Sequence, residues 1–207
     1  MRLISSLFNF VHVTTSLYNI DESHGISHSM DVFLKSNEIY NQEVFNYPHL
    51  WSQKRIIYTA AILHDMCDRK YMDKDEGLSR IQMFLQDKFP SRDIEVILAI
   101  ISTMSYSYVK RHGYPYLNQY QMAYHIVREA DLLAGYDVNR GIIYDMYMNN
   151  KTVVDSYLDT SELFERRMFK HFDDELFITK YSKNLAKKYE IDSYNKLKEW
   201  NHVIQHF

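Results

Sequence analysis

His64 and Asp65 stand side by side at the end of an apolar stripe, Ile56, Ile57, Ala60 and Ala61, on a helix expected over 52–67. The stripe points a histidine and a carboxylate inward together. An ionised Asp on a core face is costly unless it is paired or bound to a metal. Two other segments repeat the pattern. His24 and His28 lie four residues apart, and His28 lies four before Val32. Asp131 sits four after Val127 and three before Ala134, again on a face that reads as core. Glu129 is close in sequence but points elsewhere on a regular helix. Two His and two Asp from three helices could form one mixed nitrogen and oxygen site for a divalent ion, Mn²⁺, Mg²⁺, Fe²⁺, Ni²⁺, Co²⁺ or Zn²⁺. Such an ion lowers the pKa of a bound water and polarises a phosphoryl group. The other reading of His64 and Asp65 is a hydrogen-bonded pair closing a helix end, since buried polar groups are usually just satisfied.

The elements that would position these residues are helices. The 207 residues include only 5 Gly and 3 Pro, too few for an all-β fold with many tight turns. Apolar residues make up 46%, enough for one sizeable domain. Helices are expected over 2–18, 24–44, 52–67, 75–88, 91–107, 118–136, 138–150, 160–176 and 179–204, with no convincing strand. Pro48, the polar run Asp73–Gly77, Pro90-Ser91 and the loop His112-Gly113-Tyr114-Pro115 separate them. The expectation is a single all-α domain, 1–207, with a core over about 20–145 and a C-terminal helical extension over about 150–207.

The ordered residues resemble the HD-domain superfamily of metal-dependent phosphohydrolases, whose pattern is H…HD…D on a helical bundle. Here it reads Ser23-His24-Gly25-Ile26-Ser27-His28, then Ala60-Ala61-Ile62-Leu63-His64-Asp65, then Val127-Arg128-Glu129-Ala130-Asp131. The stretch Leu63-His64-Asp65-Met66-Cys67-Asp68-Arg69-Lys70-Tyr71 is similar to the "LHDxxDxKF" segment of small bacterial HD proteins that hydrolyse nucleotides. Ile100-Ile101-Ser102 and Glu129-Ala130-Asp131-Leu132-Leu133 resemble two further segments of those proteins. The resemblance covers roughly residues 20–145. It implies that His28, His64, Asp65 and Asp131 ligate one divalent ion. Asp31 replaces an Arg that those relatives often carry, and Leu132 and Ala134 replace an Arg and an Asp, which removes candidate phosphate contacts. Residues 150–207 resemble no named family.

The resemblance also suggests roles around the ion. Asp68, four residues after His64, shares its face if the helix continues and could take the proton of the attacking water. Lys70 could neutralise a phosphate, and Arg69 is a weaker candidate for the same task. His24 could donate to a phosphate or orient the site. Arg140 opens a helix near the site and is the better phosphate ligand of the pair Arg128 and Arg140. Lys110, Arg111 and His112 are placed in a loop, where they could steer an anion or simply be solvated. His125, His171, His202 and His206 have no matching role. Cys67 reads as packing, because a cysteine nucleophile wants a free histidine partner.

Charge and composition exclude other classes. The net charge is −3 with no basic tail, which argues against a general nucleic-acid binder. No stretch approaches the apolar length of a membrane span. Residues 2–8 mimic a signal peptide weakly, but Ile4, Leu7, Phe8 and Val11 have helical spacing, and a cytoplasmic protein is expected. One cysteine excludes an intrachain disulfide. The expected function is hydrolysis of a nucleotide or related phosphate ester, with a homo-oligomer possible. The alternatives are a catalytically degenerate HD scaffold that binds a nucleotide or protein partner, and a di-iron oxygenase, which the missing extra histidines disfavour.

Overall fold

A computed structural model describes residues 3–206. They form ten α-helices and two short 3₁₀ turns, with no strand among the described residues. The helices are α1 (Leu3–Tyr18), α2 (Ile26–Glu43), α3 (Leu50–Leu63), α4 (Lys74–Leu85), α5 (Ser91–Thr103), α6 (Tyr106–His112), α7 (Gln121–Ala134), α8 (Val138–Asn149), α9 (Val153–Arg166) and α10 (Lys180–His206). Residue 2 of the first expected helix lies outside the described residues.

The middle of the molecule is α7. Every residue from Ala123 to Ala134 except Asp131 is buried, so this helix is covered on all sides. It packs on α2 and α3, which also pack on each other. Ala60 and Ala61 are fully buried on α3, and such small side chains let neighbouring backbones come close. These three mutually packed helices are the ones that carry the His and Asp candidates. On α1, Leu7 and Val11 face the core, as the helical spacing predicts. The C-terminal segment is docked onto the centre by α7 itself. The Glu129 carboxylate is buried and accepts bonds from Ile178 N at 2.6 Å and from Thr179 Oγ1 at 2.6 Å. The guanidinium of Arg128 donates to the Leu176 carbonyl.

Four expected boundaries move, each for a local reason. The helix over 52–67 stops at Leu63, and residues 64–67 form turns closed by Met66 N to Leu63 O and Asp68 N to Asp65 O. The helix over 91–107 breaks at Met104. Ser102 and Thr103 turn their hydroxyls back onto the Ala99 carbonyl, and Ser105 caps a new helix by accepting from Tyr108 N. Lys110, Arg111 and His112 therefore lie in the last turn of α6 rather than in a loop, and Gly113, at φ +73°, ends that turn. The helix expected over 160–176 is instead α9, which starts at Val153 because Thr152 accepts from Asp155 N. After Arg166 the chain makes a 3₁₀ turn at Met168–Lys170 and then runs irregularly to Thr179. Finally, α2 starts at Ile26, so His24 belongs to the turn before it and does not share a helical face with His28.

Candidate metal centre and its cavity

His28 comes from the first turn of α2, His64 from the C-cap of α3, Asp65 from the turn after it, and Asp131 from the last turn of α7. The Nε2 atoms of His28 and His64 face each other at 3.1 Å. Asp65 Oδ2 lies 3.4 Å from His28 Nε2 and 3.3 Å from His64 Nε2. Ligand atoms of His28, His64 and Asp65 all lie within 4.8 Å of one another, so this group could hold a metal ion. Asp131 Oδ1 approaches the same two nitrogens, at 3.4 and 3.6 Å.

The chemistry of the set fits a divalent cation. His64 Nδ1 lies 2.8 Å from the Ala61 carbonyl, a geometry that fixes the proton on Nδ1 and turns the Nε2 lone pair to the centre. The same bond satisfies a carbonyl left open by the helix end. Asp65 Oδ2 is buried without a hydrogen-bond partner. Burial opposes ionisation of Asp65, but the neighbouring histidines, His64 first, hold its carboxyl below the usual carboxylate range. Burial also opposes charge on His64, and the Asp65 and Asp131 carboxylates overcome it and raise that imidazole well above its ordinary pKa. Two carboxylates gathered on two imidazoles thus call for positive charge, which a proton or a cation can supply.

A cavity of about 700 Å³ opens beside this centre. His64, Asp65 and Asp131 line it, together with Asp68, Arg69, Lys70 and Arg140. Asp68 reaches the cavity from the turn rather than from a continued helix. Its Oδ1 accepts from Lys70 N at 3.0 Å and its Oδ2 lies 3.5 Å from Lys70 Nζ. Lys70 Nζ is 3.0 Å from His24 Nε2 and rests over the Tyr144 ring at 4.8 Å. Burial, with Lys70, Arg140 and His28 adding to it, lowers the His24 pKa to about 3 despite the opposing pull of Asp65. His24 is therefore neutral, and Lys70 donates to its Nε2. Its Nδ1 sits 2.7 Å from Ser23 Oγ and 3.2 Å from Tyr71 OH, and Tyr71 donates to Asp21. This chain of contacts makes His24 a residue that positions Lys70. Arg140 Nε donates to the Ser23 carbonyl, which ties α8 to the turn holding His24. Arg69 is exposed at the rim.

The remaining candidates separate clearly. Arg128 is buried against the Leu176 carbonyl and the Tyr114 ring, away from the cavity. Lys110 pairs with Asp174 at 2.9 Å, while Arg111 and His112 reach the cavity edge. Cys67 is buried against Gly77, and burial pushes its thiol up to about 12, so it serves packing. His125 is buried, and His202 and His206 are exposed.

His171 departs from its expected lack of role, since it and Arg167 line the cavity from the C-terminal segment. Tyr106 and Tyr144 also line it. No spacing rule points to these four, because they come from three separate segments brought together only by the packing of α6, α8 and α9.

No family model matches the sequence, and a search of curated proteins finds no match. Among solved structures, the chain is similar to a Lactobacillus plantarum protein determined by crystallography as a structural-genomics target, with a TM-score of 0.71 and 17% identity. The likeness covers 98% of this chain and 97% of that one. It shows a shared fold that includes the C-terminal helices, for which the sequence alone offered no parallel.

Proposed function

We propose that the chain is a metal-dependent phosphohydrolase of the HD type, acting on a nucleotide or related phosphate ester. The observation that carries this reading is the convergence of His28, His64 and Asp65, with Asp131 beside them, at one end of a cavity that also holds Lys70 and Arg140. A divalent ion on those four side chains would supply an acidified water and an electrophile for a phosphoryl oxygen. The chain's own residues do the rest. Asp68, fixed by the Lys70 amide, accepts the proton of the attacking water. The water oxygen bonds to phosphorus as the ester P–O bond breaks; the leaving oxygen carries away that electron pair and takes back the proton held by Asp68. Lys70, held by His24, and Arg140, held by the Ser23 carbonyl, bind phosphate oxygens. Tyr106 and Tyr144, each with a cation over its ring, flank the space left for the organic part of the substrate.

Among the described residues no helix is long and apolar enough to cross a membrane. The test is metal analysis of the purified chain, followed by a panel of phosphomonoesters, nucleoside triphosphates and cyclic dinucleotides with Mn²⁺, Mg²⁺, Ni²⁺ and Co²⁺. Turnover that is lost on chelation supports the reading. A chain that holds its ion and hydrolyses nothing is a binding scaffold instead. About two irons per chain would point to oxygenase chemistry.

A further inference from the structure

The cavity beside the metal centre has two separate cationic walls. On one, Lys70 is splinted by the Tyr144 ring and tied to His24 and Asp68. On the other, Arg167 lies over the Tyr106 ring at 4.2 Å. A guanidinium stacked on a ring keeps its N–H donors in plane and available at the edge. Arg167 Nε is buried and has no hydrogen-bond partner among the described residues. His171, next to it on the same wall, is fully buried with both ring nitrogens unpartnered. No carboxylate among the described residues lies within 4.0 Å of Arg167 or Arg140, whereas Lys70 has Asp68. Donors left open in a buried wall are costly unless something else meets them. Burial disfavours the charge on Arg167, the Asp131 carboxylate favours it, and Arg140 opposes it, as Arg140 also does for His24. Arg140 is thus within electrostatic reach of both walls.

We infer that Arg167 is an anion-binding residue contributed by the C-terminal segment, and that it holds a second phosphate while Lys70 serves the one beside the metal ligands. This rests on the hydrolase reading for what the site does, and it adds a specificity: compounds with two or more linked phosphates are favoured over monophosphates. One phosphate needs one cationic wall. A row of linked phosphates uses both, and Arg140 lines the same cavity. A merely structural Arg167, stacked on Tyr106 as a counter-charge for Asp131, would show no such preference.

The experiment is calorimetric titration of the purified chain with inorganic tripolyphosphate and with orthophosphate, for wild type and for Arg167→Met. Wild type should bind tripolyphosphate at least about 10-fold more tightly than orthophosphate. Arg167→Met should weaken tripolyphosphate by about 10–100-fold, the range for losing charge-assisted hydrogen bonds, and leave orthophosphate within about 2-fold. Any stripping of metal by tripolyphosphate is common to both chains and cancels in the comparison. Equal affinity of wild type for the two anions overturns the inference without any variant, so an unstable Arg167→Met chain does not shield it. An unchanged tripolyphosphate affinity in a folded Arg167→Met chain overturns it as well, while nucleotide turnover by wild type would leave the hydrolase reading standing. Conversely, Arg167-dependent binding in a chain that hydrolyses no phosphate compound keeps the anion site and removes the hydrolase.

Discussion

Replacing Asp65 by Asn tests the metal centre with little change of shape. Asp65 Oδ2 stands within 3.4 Å of both imidazole Nε2 atoms and bonds to nothing else, so its charge is placed for a cation. Binding of about 10–16 kcal/mol to four ligands amounts to roughly 3 kcal/mol each. Exchanging an anionic ligand for a neutral amide should therefore weaken the ion by about 100-fold. At a free ion concentration of about 100 times the wild-type Kd, binding stabilises the fold by about 2.7 kcal/mol. The Asn variant, now near its own Kd, would gain only about 0.4 kcal/mol. For a chain of this length each kcal/mol moves Tm by about 2–4 °C. The ion-induced rise in Tm should then fall from about 5–11 °C to about 1–2 °C. Thermal melts with and without chelator, alongside metal analysis, read this directly. An equal rise in both chains, or full metal content in Asp65→Asn, would refute the assignment of Asp65.

Four further outcomes follow from the geometry. Asp68→Asn should keep its metal and lose about 10²–10⁴-fold in turnover, while Lys70→Ala should raise KM more than it lowers kcat; steady-state kinetics on the first active substrate checks both. Glu129→Leu should cost about 3–5 kcal/mol, because it strands the Ile178 and Thr179 donors and leaves buried Arg128 without its carboxylate at 3.7 Å; denaturant melts measure it, and a loss under about 1 kcal/mol would show that the C-terminal segment docks without this carboxylate. Burial, with Arg128 beside it, lowers the His125 pKa to about 4. The unfolded chain then binds the extra proton between about pH 6.5 and 4, so stability is present above that window and falls as pH drops through it, by about 3 kcal/mol in all. His125→Gln should lessen that slope in melts across pH 4–7 by this one contribution, the remainder coming from buried His24 and His171, whose pKa values are lowered to about 3; an unchanged slope would remove His125 from the pH dependence.

The all-helical character was legible because helical periodicity is strong and turn residues are scarce. Bringing His28, His64 and Asp65 together was legible from polar residues on apolar faces, which a core does not tolerate without a reason. Boundaries were harder. Nothing at Leu63 announces a helix end, since the residue that closes it is His64 itself, whose side chain takes the Ala61 carbonyl. The start of α9 had a signal, Thr152 three residues before Asp155, and the apolar pattern further on obscured it. Arg167 and His171 carried no signal at all. Their placement depends on how α9 and the irregular segment behind it settle against α6 and α7, and local sequence does not encode that distance.

Asp131 and Glu129 are two residues apart on α7, which turns their side chains about 200° from each other. One faces the candidate metal centre and the other grips the segment that follows His171. A single turn of helix therefore acts as a fixed gauge between the candidate metal centre and the clasp that docks the C-terminal segment. Adding or deleting one residue within that turn would spoil both at once. Residues 172–175 join the cavity-lining His171 to the stretch that α7 holds at Leu176, Ile178 and Thr179 without forming a helix, so natural variation in length should accumulate there. Homologous chains would then differ in length behind Arg167 while the interval from 129 to 131 stays constant.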